Sequence, residues 1–139
     1  MLRIKRIIPD VKLPSYAHPD DAGLDLYAAE DKLIAPGEHC LVRSGIAVAI
    51  PKGFVGLLWD KSGIAAKGIN VMGGVLDSNF RGEITFILKN VKDTAYEVKK
   101  NQKITQLLIQ PINQFPIQEV TDLDATDRGQ GRLGSTGLH

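Results

Sequence analysis

Apolar and polar residues alternate over short stretches along most of the chain. The pattern is most regular in Gly82–Asn90. There Ile84, Phe86 and Leu88 fall on one side, and Glu83, Thr85, Ile87 and Lys89 on the other. A period of two places such residues on opposite faces of a half-buried strand. Shorter runs predict further strands at Arg3–Ile8, Leu24–Ala28, Lys32–Ala35, Cys40–Val42, Gly45–Ile50, Phe54–Trp59, Tyr96–Lys99 and Ile104–Ile112. Turn signals separate them: Pro9, Pro36-Gly37 and Pro51-Lys52-Gly53. Only Ser62–Lys67 predicts a helix, a short one with Ser62 as its N-cap. About eight to ten short strands with closely spaced turns predict an all-β sandwich, jelly roll or distorted barrel. The absence of βαβ alternation argues against a doubly wound fold.

Composition narrows the function classes. The chain has 139 residues, the size of one domain. Hydrophobic residues make up 43% and charged residues 24%, as in an ordinary globular protein. Seventeen Lys and Arg against 16 Asp and Glu leave a net charge of +1. That balance argues against a broad nucleic-acid footprint, but not against a small anion held by a few local groups. A single cysteine, Cys40, excludes an internal disulfide and reads as a small apolar side chain rather than a nucleophile. His18, His39 and His139 are scattered and lack zinc spacing. No membrane-length apolar run or secretory leader is present in the sequence, so the expected location is cytoplasmic, or nuclear in a cell that has a nucleus.

Glycine placement marks candidate chemistry. Ten of the 14 glycines lie between Gly23 and Gly82, and the other four fall in the last eleven residues. The tail Arg128-Gly-Gln-Gly-Arg-Leu-Gly-Ser-Thr-Gly137 has little apolar area to bury, so it is either a frayed terminus or an arm that orders over an anion. Asp60-Lys61-Ser62-Gly63 offers a cation, a hydroxyl and free backbone N–H groups for phosphate, with a structural cap as the alternative for Ser62. In Gly73-Gly74-Val75-Leu76-Asp77 a tight hairpin leads to a carboxylate that is either an Asx turn residue or a group carried into a cleft. Asp25 lies between Leu24 and Leu26, where a strand's polar face is the plain alternative.

Taken in order, AGLDLYA, DKSGIAAKG, GGVLDSNFRG, ITQLLIQP and RGQGRLGSTG resemble the five motifs of the dUTPase family, from Ala22 to Gly137. The resemblance implies an all-β distorted jelly-roll or β-barrel with one short helix, assembled as a homotrimer with shared active sites. It divides the chain into a β domain, 1–126, and a flexible C-terminal arm, 127–139, that closes over the site. It implies hydrolysis of dUTP to dUMP and pyrophosphate with Mg²⁺, limiting uracil in DNA and supplying dUMP for dTMP synthesis. Neither nucleic acid nor membrane is an expected partner. Asp77 matches the general base acting on the water that attacks the α-phosphate, Asp25 the carboxylate near the hydrated metal, and Gln106 the water- and phosphate-positioning amide. Lys61, Ser62 and Gly63 match the phosphate-binding turn. The hairpin with Val71, Gly74 and Val75 matches the uracil-reading segment, and Phe80 the ring beneath the deoxyribose. Arg128, Leu133, Gly134, Ser135 and Thr136 match the closing arm. No protein residue is implied as a direct ligand of Mg²⁺, which phosphates and water would hold.

Several positions depart from the common pattern. Lys61 stands where arginine is usual, which keeps the charge and loses the bidentate fork. Asn79 replaces Asp, and Phe80 replaces Tyr with loss of only the phenol. Arg132-Leu133 replaces Gly-Phe, so Leu133 can cover a base but not stack on it. Arg43-Ser44-Gly45 looks more like the usual second motif, but it precedes Pro51-Lys52-Gly53 and so falls on an earlier strand. The related dCTP deaminases keep a catalytic glutamate where this chain has Ile87, which cannot move protons. A non-catalytic binding module of the same fold would be expected to lose Asp77 or the arm, and a carbohydrate- or protein-binding jelly roll would leave the Gly/Arg tail without a role.

Overall fold

The computed structural model describes residues 1–133 and 135–137. Eleven strands and one helix follow in chain order: β1 (Arg3–Arg6), β2 (Gly23–Tyr27), β3 (Lys32–Ile34), β4 (His39–Arg43), β5 (Ile46–Ala49), β6 (Phe54–Asp60), α1 (Ser62–Ala65), β7 (Ile69–Val71), β8 (Val75–Leu76), β9 (Thr85–Asn90), β10 (Tyr96–Val98) and β11 (Lys103–Pro111). The all-β expectation with one short helix holds. The strands divide into four antiparallel sheets, ordered β1-β5, β10-β3, β2-β11-β6-β8 and β4-β9-β7, and no closed barrel forms among the described residues.

The strand periodicity explains the core. Ile84, Phe86 and Leu88 are almost fully buried while Ile87 is exposed, as the alternation requires. They pack with Leu26, Val42, Ile46, Ile104 and Leu107 in one cluster between the sheets. Each such side chain contributes roughly 1.5–3 kcal/mol on burial. Asn90 continues the inward face of β9 as a buried polar group. Its Nδ2 donates to the carbonyls of Ile34 (3.1 Å) and Thr94 (2.8 Å), and its Oδ1 accepts from the Lys92 N–H (3.0 Å). These bonds compensate its desolvation and fasten β3 to the turn after β9.

Two local expectations change. Lys61, not Ser62, occupies the cap of α1, and it makes no side-chain cap hydrogen bond. Ser62 is the first helical residue instead, and the helix ends at Ala65. The segments Ile69–Val71 and Val75–Leu76 form short strands that their few residues conceal from pattern reading. Gly74 links them at φ +118°, and a Cβ there would lie 2.7 Å from Leu58 Cβ, so only glycine fits.

Beyond β11 the chain runs from Ile112 to Asp127 without a strand. Phe115, Ile117, Val120 and Leu123 remain exposed along it. Among the described residues, no helix is long and apolar enough to cross a membrane.

Candidate active site

β2 and β11 place Asp25 directly opposite Gln106, and β11 and β6 place Gln106 opposite Trp59. Asp25, Gln106 and Lys61 therefore converge at one end of the four-stranded sheet. They line a cavity of about 340 Å³ with Gly23 and with Ala17, His18 and Asp21 from the preceding loop. The sequence motifs foresaw Asp25, Lys61 and Gln106 there, but not the loop residues.

Asp25 is 3% exposed, so its charge needs partners. Lys61 Nζ donates to Oδ1, and Lys103 Nζ lies 2.6 Å from Oδ2 as an ion pair without hydrogen-bond alignment. Burial pushes the Asp25 carboxyl up, but Lys103 and Lys61 together outweigh it and hold the group below its ordinary range. The same pairing raises Lys103 above the usual lysine value. Sequence reasoning missed Lys103 because it lies three residues from Gln106, which puts the two on opposite faces of a regular strand. The register slips by one residue between Lys103 and Thr105. That bulge restores both side chains to the face of Asp25.

Gln106 is seated by a missing side chain. A Cβ on Gly23 would fall 2.3 Å from Gln106 Oε1. In the room left by glycine the amide lies flat against β2, and its Nε2 donates to the Asp60 carbonyl (2.8 Å). Thr105, next on β11, donates its hydroxyl to the Trp59 carbonyl (2.6 Å). Gln106 is thus held against the last residues of β6, beside Lys61.

The other expected residues lie elsewhere. β8 runs antiparallel to β6, with Leu76 opposite Gly56, and delivers Asp77 to the far end of that strand. Asp77 is exposed there, beside a cavity of about 290 Å³ lined by Phe54, Ser78, Asn79, Ile112 and Gln114. Phe80 folds back so that its ring covers Gly82, where a Cβ would meet the ring at 2.6 Å. Val71, Gly74 and Val75 lie on the turn that joins β7 to β8, near the Asp60 end; the expected tight hairpin does not form, because β7 pairs with β9 and β8 with β6. Ser62 and Gly63 open α1 beside Lys61.

Arg128, Leu133, Ser135 and Thr136 are exposed. Among the described residues, the arm's hydrogen bonds stay within residues 126–135, such as Arg128 Nε to the Gly131 carbonyl (3.2 Å) and the Ser135 N–H to the Arg132 carbonyl (3.0 Å). Gly134 lies outside the described residues. One chain thus gathers Asp25, Lys61 and Gln106, but brings neither Asp77 nor the arm to them.

The earlier Arg43-Ser44-Gly45 sequence is structural. Arg43 makes a two-pronged pair with Glu83 (Nε 3.1 Å, Nη2 2.8 Å), and buried Ser44 bonds the backbone of Ile46. Cys40 is half-buried, and burial pushes its thiol up, away from a reactive thiolate. Among the described residues, no group of three or more His, Cys, Asp or Glu side chains is arranged to hold a metal ion.

Comparison with known proteins agrees with this arrangement of motifs. The dUTPase family model matches residues 10–137. A deoxyuridine 5'-triphosphate nucleotidohydrolase of Clostridium tetani is 43% identical, over 98% of this chain and 96% of its own. One from Thermobifida fusca is 45% identical, over 99% of this chain and 79% of its own. Among solved structures, the dUTPase of Staphylococcus bacteriophage 80alpha with dUpNHpp superposes with a TM-score of 0.93 at 26% identity, covering 99% of both chains. A mutant dUTPase of phage phi11 of S. aureus, described with a structural Mg(II) ion, gives 0.82 at 25% identity, over 88% of this chain and 97% of its own. With the family match spanning nearly its whole length, the chain belongs to the dUTPase family.

Proposed function

We propose that the protein hydrolyses dUTP to dUMP and pyrophosphate, at active sites built between three copies of the chain. The separation of its catalytic groups carries this reading. Lys61 and Gln106 sit at the Asp60 end of β6, and Asp77 at the Phe54 end. Those ends are six residues apart on one strand, about 20 Å at the usual rise. A base and a phosphate clamp that far apart cannot act on one triphosphate. A second copy, presenting its Asp77 end to this chain's Lys61 end, would close the gap. Exposed Trp59, Phe115 and Ile117 supply apolar surface that such packing would cover. The arm from about Asp127, with Arg128, Ser135 and Thr136, would then close over the nucleotide.

In this site Asp77 removes a proton from water as the water oxygen attacks the α-phosphorus. The bond from that phosphorus to the bridging oxygen of the β-phosphate breaks, and pyrophosphate leaves. Gln106, fixed by Gly23 and Asp60, orients water and phosphate. Lys61 and the first N–H groups of α1 meet the phosphate oxygens, and the Gly74 turn reads uracil through its main chain. Phe80 supplies the flat surface for the deoxyribose.

The donor set fits a cation that arrives on the nucleotide rather than one held in a protein cage. Of the two carboxylates at the cavity, Asp25 is paired with lysines and Asp21 accepts the His18 N–H (2.8 Å). Mg²⁺ bound by the triphosphate would neutralise charge on the phosphates, with Asp25 meeting its water shell. Lys61 has a role in both states: it offsets the buried Asp25 charge without nucleotide and meets phosphate with it. We place the enzyme with the cytoplasmic nucleotide pool.

A nucleotide panel tests the reading. Pyrophosphate release with Mg²⁺ should be far faster from dUTP than from dCTP, dTTP or UTP, and light scattering should give the mass of three chains. Equal turnover of the four nucleotides, or full activity in a monomer, would overturn it.

A further inference from the structure

The motifs leave one contact without a role. β7 is the outer strand of the order β4-β9-β7, so one side of its backbone has no strand beside it. Met72 donates its N–H to the Ile87 carbonyl on the β9 side (2.8 Å), and the Val71 N–H turns the other way, toward β6. Its partner there is a side chain. Asp60 Oδ1 accepts the Val71 N–H at 2.6 Å, and Oδ2 accepts from Asn70 Nδ2 at 3.2 Å. Bonds to a charged acceptor are the stronger class. The other foot of the β7–β8 turn is held by backbone alone, from the Leu58 N–H to the Gly74 carbonyl (2.8 Å). β6 therefore grips both feet, and the first grip depends on the identity of residue 60.

We infer that Asp60 is a positioning residue for nucleobase recognition. Its carboxylate replaces the missing strand neighbour of Val71 and sets where the main chain of 71–75 meets the base. This rests on the hydrolysis proposed above. Removing the side chain frees the Val71 foot and weakens base reading. It spares Gln106, which bonds the Asp60 backbone carbonyl, and it leaves the Asp77 end of β6 untouched.

Steady-state hydrolysis of dUTP and dCTP by the full chain tests the assignment. Asp60→Ala should raise KM for dUTP about tenfold, with kcat within about threefold, and narrow the kcat/KM preference for dUTP over dCTP. Asp60→Asn keeps an acceptor for the Val71 N–H and should recover most of the loss. Unchanged KM and preference in a folded Asp60→Ala, or a fall in kcat at unchanged KM, would overturn the inference. Should Asp60→Ala fail to fold, amide hydrogen exchange in the unaltered protein decides. Val71 should exchange far more slowly than exposed Gly73, and equal rates would overturn it. A protein that shows no preference for dUTP before any substitution would instead strike the proposed hydrolysis, while a protected Val71 amide would leave the Asp60 contact standing.

Discussion

Replacing Gly23 by alanine tests how the site holds Gln106. The new Cβ would lie 2.3 Å from Gln106 Oε1, 3.0 Å from Cδ and 3.2 Å from Cβ. The first contact is impossible, so the amide must swing away and give up its bond to the Asp60 carbonyl. That loss costs about 0.5–1.5 kcal/mol. Gly23 is not among the residues with positive φ, so alanine fits its backbone and stiffens the unfolded chain by about 0.4–1 kcal/mol. The two effects nearly cancel, and urea unfolding should shift by less than about 1 kcal/mol. Activity should respond differently. A misplacement near 1 Å at a positioning group costs about a hundredfold, so kcat for dUTP should fall by roughly that factor in a protein of near-normal stability. A double-mutant cycle sharpens the test, since Gly23→Ala acts only through Gln106. Gly23→Ala/Gln106→Ala should therefore be no slower than Gln106→Ala alone. A kcat within twofold of the unaltered protein, or a double variant whose loss is the product of the two single losses, would refute the reasoning.

Asp77→Asn should bind dUTP in calorimetric titration yet lose about 10²–10⁴ in turnover; turnover within tenfold of normal would remove Asp77 from the base role. Asp25 should link stability to acid pH. Its folded value is lowered, so its contribution is complete above the unfolded value near 3.9 and is lost as pH falls through the folded value. The stability difference between the unaltered protein and Asp25→Asn in urea should therefore be constant at neutral pH and shrink below about pH 4; a difference unchanged down to pH 2 would contradict the pairing with Lys61 and Lys103. Deleting residues 127–139 should leave the number of chains in the assembly unchanged and abolish most hydrolysis; normal turnover by the truncated chain would exclude the arm from the site.

Much of the fold was legible because its core strands follow a strict period. The inward set Ile84, Phe86 and Leu88 needed no tertiary information, since burial on one face is what the alternation encodes. Asn90 shares that face and is equally buried, yet its partners, Ile34 and Thr94, come from chain segments that no local window joins to it. Ser62 was misplaced by one residue, because a serine before a short apolar run reads the same at the cap and in the first turn. Asp25, Lys61, Gln106 and Asp77 stand out as candidates through the order of five motifs. Their separation along β6 was not, because it depends on the pairing of β6 with both β8 and β11. Lys103, Asp60 and the seat that Gly23 makes for Gln106 were hidden for the same reason: each acts across strands, and strand register is not written in spacing.

The bulge in β11 carries a consequence for how this site can vary. Lys103 and Gln106 face Asp25 together only because one extra residue, at Ile104, changes the parity of the strand between them. A substitution at Ile104 that stays apolar preserves that parity. Deleting the residue, or inserting another, would turn either the lysine or the amide to the opposite face and leave Asp25 buried with an incomplete set of partners. The number of residues from 103 to 106 is therefore constrained as firmly as their chemistry. Length change along this stretch should be the rarer event among functional descendants of the sequence, even where the side chains themselves drift.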